Sequence, residues 1–199
     1  MNNHIMKAAA IGLAVMTAPV AAHAAEITLL ASNALKAVVE EIGPGFEKSS
    51  GHTLKVTFGP TGPLQARIDK GEAFDLTILG EGAIDDLIKQ GLTGTYLKGL
   101  FQRMGLTDEL KSKTKFARGS EAVAAGEVEL GLTQVSEIVP VSGAELAGPL
   151  PAEIQNYTNF PVAVSANAKQ PDAAKALIRH LASPDAVRSM KAIGLEPPA

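Results

Sequence analysis

The sequence predicts an α/β protein with a mainly parallel sheet covered by helices on both faces. Three observations carry this. Short segments patterned as strands recur at residues 27–31, 54–58 and 75–79, the first a short apolar run and the second alternating. Each is followed by residues at helical spacing, and Gly- and Pro-rich turns separate the units. Such alternation makes neighbouring strands parallel, because a crossover helix returns the chain to the same edge of the sheet. With 199 residues, 46% apolar and 20% charged, the chain can bury a core and is not disordered.

In order, the run 27–31 is a strand. Leu35, Val38, Val39, Ile42 and Phe46 then form a helical stripe. Gly43-Pro44-Gly45 interrupts that stripe and should kink or split the helix, and Gly51 stops it. Residues 54–58 alternate as a strand, and residues 59–63 (Gly-Pro-Thr-Gly-Pro) form a turn-rich loop. Leu64 and Ile68 start a short helix ending near Gly71. The strand at 75–79 follows, then a helix marked by Ile84, Leu87 and Ile88 and closed by Gly91.

The second half repeats this pattern more weakly. Tyr96, Leu97, Leu100, Phe101 and Met104 share a helical face. Strands are expected at 115–118 and 129–133, with a helix from Ser120 between them. Gly71-Glu72 and Gly126-Glu127 each follow a short helix and lead into an acid and an apolar run. This is either a weak internal repeat or chance similarity. Pro171-Asp172 opens a helix with Ala173, Ala176, Leu177 and Leu181 along its face. Ser183-Pro184-Asp185 opens another, Ser at the cap and Pro at the first position, and Gly194 stops it.

Residues 1–24 read as an address. Lys7 and the amino terminus precede an apolar run too short to span a bilayer, and Ala22-His23-Ala24 is a small-x-small cleavage site. The expectation is an exported protein with its signal peptide cleaved after Ala24. Cleavage removes one base and no acid, leaving the mature chain more negative than the formal −3.

Composition closes off several chemistries. A net charge of −3 opposes nucleic-acid binding. The absence of Cys excludes disulfides, thiolate metal sites and a Cys nucleophile. Aromatics at 4% with no Trp oppose stacking platforms. His52 and His180 have no visible catalytic partner, while Asp85-Asp86 and Glu40-Glu41 read as solvated helix faces. No enzyme activity, cofactor or metal is expected.

What remains are two strand-to-helix loops, Ala31-Ser32-Asn33-Ala34 and Gly59-Pro60-Thr61-Gly62-Pro63. Both offer hydroxyls and open backbone N–H groups before a helix, which suits an anion. Neither holds a charged residue. Neutral donors without a carboxylate acceptor suit a fully ionised oxyanion, whereas a protonated one would want an acceptor for its proton. The alternatives are that Ser32 only caps its own helix and Thr61 only shapes a turn. The loop is not a Walker motif, because Lys is missing.

The segments Leu-Leu-Ala-Ser32-Asn-Ala-Leu, Gly59-Pro-Thr-Gly-Pro-Leu-Gln-Ala-Arg67 and Gly71-Glu-Ala-Phe-Asp-Leu-Thr-Ile78 resemble the periplasmic molybdate-binding proteins of ABC importers. So do Phe160-Pro-Val-Ala-Val164 and the segment from Pro171 to Pro184. The resemblance covers most of residues 26–197. It implies a type II periplasmic-binding-protein-like α/β fold, with two lobes of mainly parallel sheet flanked by helices. It also implies capture of a tetrahedral oxyanion, molybdate in that family, for an inner-membrane ABC permease, by a periplasmic monomer.

By the same resemblance, Ser32 and Thr61 supply hydroxyls and a backbone amide binds near Thr133. Where the family has a Tyr ahead of the return strand this chain has Phe160, with Tyr157 three residues earlier. A stretch the family carries before the Tyr96 helix is missing, since residues 91–94 run straight across. The implied organisation is a signal peptide at 1–24, a first lobe at 25–89 and 157–199, and a reduced second lobe at 90–156. The shortened lobe should weaken binding and expose apolar surface. Alternatives are a binder of another small anion or organic acid, or a non-transporting, decayed copy with little binding.

The export reading is checked by the intact mass of protein recovered from the periplasm. It should lack residues 1–24, and a mass that retains them overturns the reading.

Overall fold

The computed structural model describes residues 24–81 and 91–196. The helix expected around Ile84, Leu87 and Ile88 lies outside them. Four strands form one mixed sheet in the order β2-β1-β3-β4: β1 (Glu26–Ser32), β2 (Thr53–Gly59), β3 (Leu76–Ile78) and β4 (Val162–Val164). β1 pairs in parallel with β2 and with β3, while β4 returns antiparallel to β3. The register sets Ser32 opposite Gly59 and Ala31 opposite Ile78. Three strands therefore end together at one edge of the sheet.

β1 is central and buried on both faces, as a near-continuous apolar run demands. Ile27, Leu29 and Ala31 pack with Leu76, Ile78, Leu35, Val39, Phe46 and the Ala173, Ala174 and Leu177 face of α7 (Pro171–Leu181). Helix α1 (Lys36–Ser50) follows β1 through a 3-10 turn at Asn33–Leu35. Its Val38 and Ile42 form a second cluster with Ala186 and Ile193 around α8 (Pro184–Ala192). Each such large apolar side chain contributes roughly 1.5–3 kcal/mol by leaving water.

The helix is not split at Gly43-Pro44-Gly45 but runs unbroken from Lys36 to Ser50. Pro44 is exposed, as is Glu40, whose carbonyl Pro44 leaves without its helical donor. Water can satisfy that carbonyl, while buried Ile42 and Phe46 hold the helix to the core on either side. Gly51 ends it in the left-handed conformation at φ 72°, donating to the Glu47 carbonyl.

Helix α2 (Thr61–Asp69) connects β2 to β3 and takes up most of the loop expected at 59–63: Gly59 ends β2, Thr61 begins the helix and only Pro60 lies between, as its cap. Where a short strand was expected to begin, Asp75 instead forms a buried hub, 4% exposed. Its Oδ2 accepts from the Thr28 amide and its Oδ1 from the Gln170 amide, both at 2.9 Å. Its own amide donates to the Thr28 carbonyl, and its carbonyl accepts from the Ser165 amide, both at 3.0 Å. One residue thus joins β1, the segment after β4 and the residue capping α7.

From 91 to 161 the described chain is helical or irregular: α3 (Gly91–Arg103), α4 (Thr107–Lys111), α5 (Gly119–Ala124) and α6 (Val135–Ile138), with a 3-10 turn at Ala152–Ile154. Gly91 is helical, where a helix stop was expected. The strands expected at 115–118 and 129–133 are irregular. A strand is stable only against a neighbour that takes its N–H and C=O groups, and none stands beside these segments among the described residues. Leu130 is accordingly 70% exposed and Phe116 52%.

The two Gly-Glu segments do match in local backbone. Gly71 and Gly126 both take positive φ, at 85° and 71°. Glu72 and Glu127 each donate their amides to the carbonyl five residues back, as at a Schellman helix end. The likeness stops there, since Leu76 enters a sheet and Leu130 does not.

Replacing Asp75 by Ala strands two backbone N–H groups in the interior. Each uncompensated group costs about 1–3 kcal/mol, so Asp75→Ala should cost roughly 2–6 kcal/mol. Urea unfolding measures it, and a loss under about 0.5 kcal/mol, the size of an ordinary surface substitution, would contradict the hub.

Candidate functional site

A cleft of about 1120 Å³ opens where the sheet strands end. Ser32, the last residue of β1, and Thr61, the first of α2, lie on one wall. The register that pairs Ser32 with Gly59 brings them close, because Thr61 is two residues beyond Gly59. Thr133, Gln134, Ser136 and Glu137 line the cleft from the other half of the chain.

Ser32 is 7% exposed, and its Oγ accepts from the Ala34 amide at 3.4 Å. The capping alternative is therefore what the geometry shows, but it uses only an acceptor of the hydroxyl. Thr61 Oγ1 accepts from the Gly80 amide at 3.1 Å, which ties α2 to the residues after β3. A hydroxyl carries one donor and two acceptor lone pairs. With backbone N–H groups taking acceptor positions, neither hydroxyl donates to an acceptor among the described residues.

Thr133 is also in the cleft, but its Oγ1 donates to Glu137 Oε2 at 2.5 Å, so its backbone amide is the donor that remains. Tyr157 does not line this cleft, although Thr133 borders both the cleft and the groove that Tyr157 lines. That groove is apolar, and Tyr157 is 71% exposed. The irregular stretch before β4 turns Phe160 inward, against the core and into the cleft wall, leaving Tyr157 outside.

Sequence reading missed Ser120, Ser136 and Glu137. Ser120 and Ser136 are each 4% exposed and both line the cleft. Ser120 Oγ lies 3.1 Å from Glu121 Oε2. α6, only four residues long, packs against the 3-10 turn that follows Ser32. No local pattern announces that packing. Gly131 had a weak signal as a glycine within an expected strand: a Cβ there would stand 2.8 Å from the Gly119 carbonyl oxygen.

The cations lining the cleft are already paired. Lys36 lies 3.8 Å from Glu40, Lys115 2.5 Å from Glu127, Arg118 2.6 Å from Glu121 and Lys113 3.3 Å from Glu109. The Lys115 ammonium, hydrogen-bonded to Glu127, holds that carboxyl below its ordinary range. His52 and His180 are structural. Both rings pack on Phe46, and His52 Nδ1 accepts from the Ala25 amide. No cluster of metal-ligating residues occurs among the described residues.

The strand ends of the sheet open on this cleft, the place where open α/β sheets take their ligands. The family model for bacterial extracellular solute-binding proteins matches residues 27–96 and 92–196, and the chain belongs to that family. The two matched stretches meet where the sequence runs across a missing segment.

The chain is 24% identical over 229 residues to an aconitate isomerase of a Pseudomonas species, covering 86% of this chain and 87% of that one. It is 22% identical over 231 residues to the molybdate-binding protein of Azotobacter vinelandii, covering 87% and 91%. Both alignments are longer than the 199-residue chain, so each relative carries residues with no counterpart here. The solved periplasmic molybdate-binding protein of A. vinelandii superposes with a TM-score of 0.69 at 16% identity, over 87% of this chain and 100% of that one. A substrate-binding domain assigned to a molybdenum ABC transporter of Clostridium difficile does so at 0.63 and 19%, over 88% and 100%. The fold is the type II binding-protein fold, on a shortened chain.

Gly131→Ala should push the 131–134 turn away from α5 and cost about 1–3 kcal/mol as an overpacking change. Thermal unfolding measures it, and a neutral result would show that the turn is not held by this approach.

Proposed function

We propose that this protein is the periplasmic solute-binding component of an ABC importer and captures a small oxyanion in the Ser32–Thr61 cleft. The observation that carries this is the pair of hydroxyls at adjacent strand ends, each oriented by a backbone amide so that its proton is free to donate. Thr133, whose backbone amide is the third donor of this reading, lines the same cleft from the other half of the chain. Molybdate is the first ligand to consider, because it is the ligand named for the A. vinelandii relative. The chain is read as exported after cleavage at Ala24, with lobes at 25–89 plus 157–199 and at 90–156. It acts as a monomer, without catalysis, and delivers its ligand to an inner-membrane permease.

A second reading is capture of a small organic acid, as the name of the Pseudomonas relative suggests for that protein. Phe160 favours it, since an apolar wall suits a carbon skeleton better than it suits a fourth oxygen. Incubation with cis-aconitate, with the isomer ratio followed over time, separates binding from conversion. A ratio that shifts with enzyme concentration would overturn the non-catalytic reading.

Calorimetry against molybdate, tungstate, sulfate and organic acids tests the ligand class. A hydrogen bond to a charged ligand is worth roughly 1.5–3 kcal/mol, so Ser32→Ala or Thr61→Ala should each weaken binding by about one to two decades. Unchanged affinity in both variants would reject this site.

A further inference from the structure

Glu137 brings a carboxylate to a site whose strand-end loops carry no charge. It stands on α6, packed against the 3-10 turn directly after Ser32, and lines the same cleft as Ser32 and Thr61. Its Oε2 is held by the Thr133 hydroxyl at 2.5 Å, while Oε1 accepts no hydrogen bond among the described residues. Nor does Glu137 join an ion pair among them. The cations of the cleft are engaged with Glu40, Glu127, Glu121 and Glu109, and Glu129 adds a further negative charge to the lining.

An ionised carboxylate offers acceptors and no donor. An oxyanion that has lost every proton also offers only acceptors. The two repel, more strongly as water leaves the cleft and the local dielectric falls. An anion that keeps one O–H meets both walls: it accepts from Ser32, Thr61 and the Thr133 amide, and donates to Glu137. Thr133 occupies Oε2 and steadies the carboxylate, so the open oxygen is Oε1.

We infer that Glu137 is a specificity-determining residue, through which this cleft prefers an anion carrying its own O–H, hydrogen phosphate being the simplest, over fully ionised sulfate or molybdate. The inference rests on the oxyanion reading above and narrows its ligand class.

The test is calorimetry of the purified protein with inorganic phosphate, sulfate and molybdate, at a pH where phosphate is chiefly hydrogen phosphate. One hydrogen bond to a charged group should make phosphate about tenfold to a hundredfold tighter than sulfate. Glu137→Gln should erase that preference by tightening sulfate and molybdate and weakening phosphate. Glu137→Ala, which keeps no acceptor and no charge, should erase it as well, with circular dichroism confirming that either variant is folded. A phosphate-to-sulfate ratio unchanged in a folded variant overturns the inference and leaves the oxyanion reading standing. So does a wild-type protein that binds sulfate or molybdate more tightly than phosphate. Absence of binding for all three anions, in wild type and variants alike, overturns both.

Discussion

The Asp75 carboxylate holds together segments far apart in the chain. Through its side chain it reaches the Thr28 amide of β1 and the Gln170 amide capping α7, and through its backbone it reaches Thr28 and Ser165. A buried carboxylate is tolerated only when its lone pairs are met, and here two backbone donors meet them. β3 is three residues long and β4 no longer, so their ladder alone offers little. The hub keeps the return segment in the sheet, and with it the α7 face that covers Leu29 and Leu76.

The cleft depends on that sheet register. Ser32 ends β1, and Thr61 and Gly80 lie two residues past the ends of its two neighbours, so their convergence is a consequence of parallel pairing. Each hydroxyl serves two purposes. As an acceptor it satisfies a backbone amide that would otherwise be stranded at a strand end, and its remaining hydrogen-bonding capacity lies beside the cleft. Structural capping and ligand contact are therefore compatible roles for the same oxygen.

The other wall is a different kind of structure. It holds no strand among the described residues. The segments that read as strands lie open, with Leu130 and Phe116 exposed. Local likeness between the two Gly-Glu segments fixes a helix end in both, but only one is followed by a pairing neighbour. Here Gly131 lies against the Gly119 carbonyl and Gly194 against the Val135 side chain, each where a Cβ would collide.

The sequence by itself determined the elements that depend on nearest neighbours. The apolar run of β1, the stripe Leu35–Val38–Val39–Ile42–Phe46 and the Ser183 cap were all legible, because spacing and capping act within a few residues. Ser32 and Thr61 were legible as hydroxyl-bearing residues at neighbouring strand ends, and the structure lines one cleft with both. Tertiary structure alone decided whether an apolar run becomes a strand, since that needs a partner elsewhere, and residues 115–118 and 129–133 lack one. It also turned Phe160 in and Tyr157 out, made Asp75 a hub, kept α1 whole across Pro44, and set the Glu137 carboxylate beside Thr133. Each of these outcomes depends on groups distant in sequence meeting in space, and periodicity carries no record of which groups those will be.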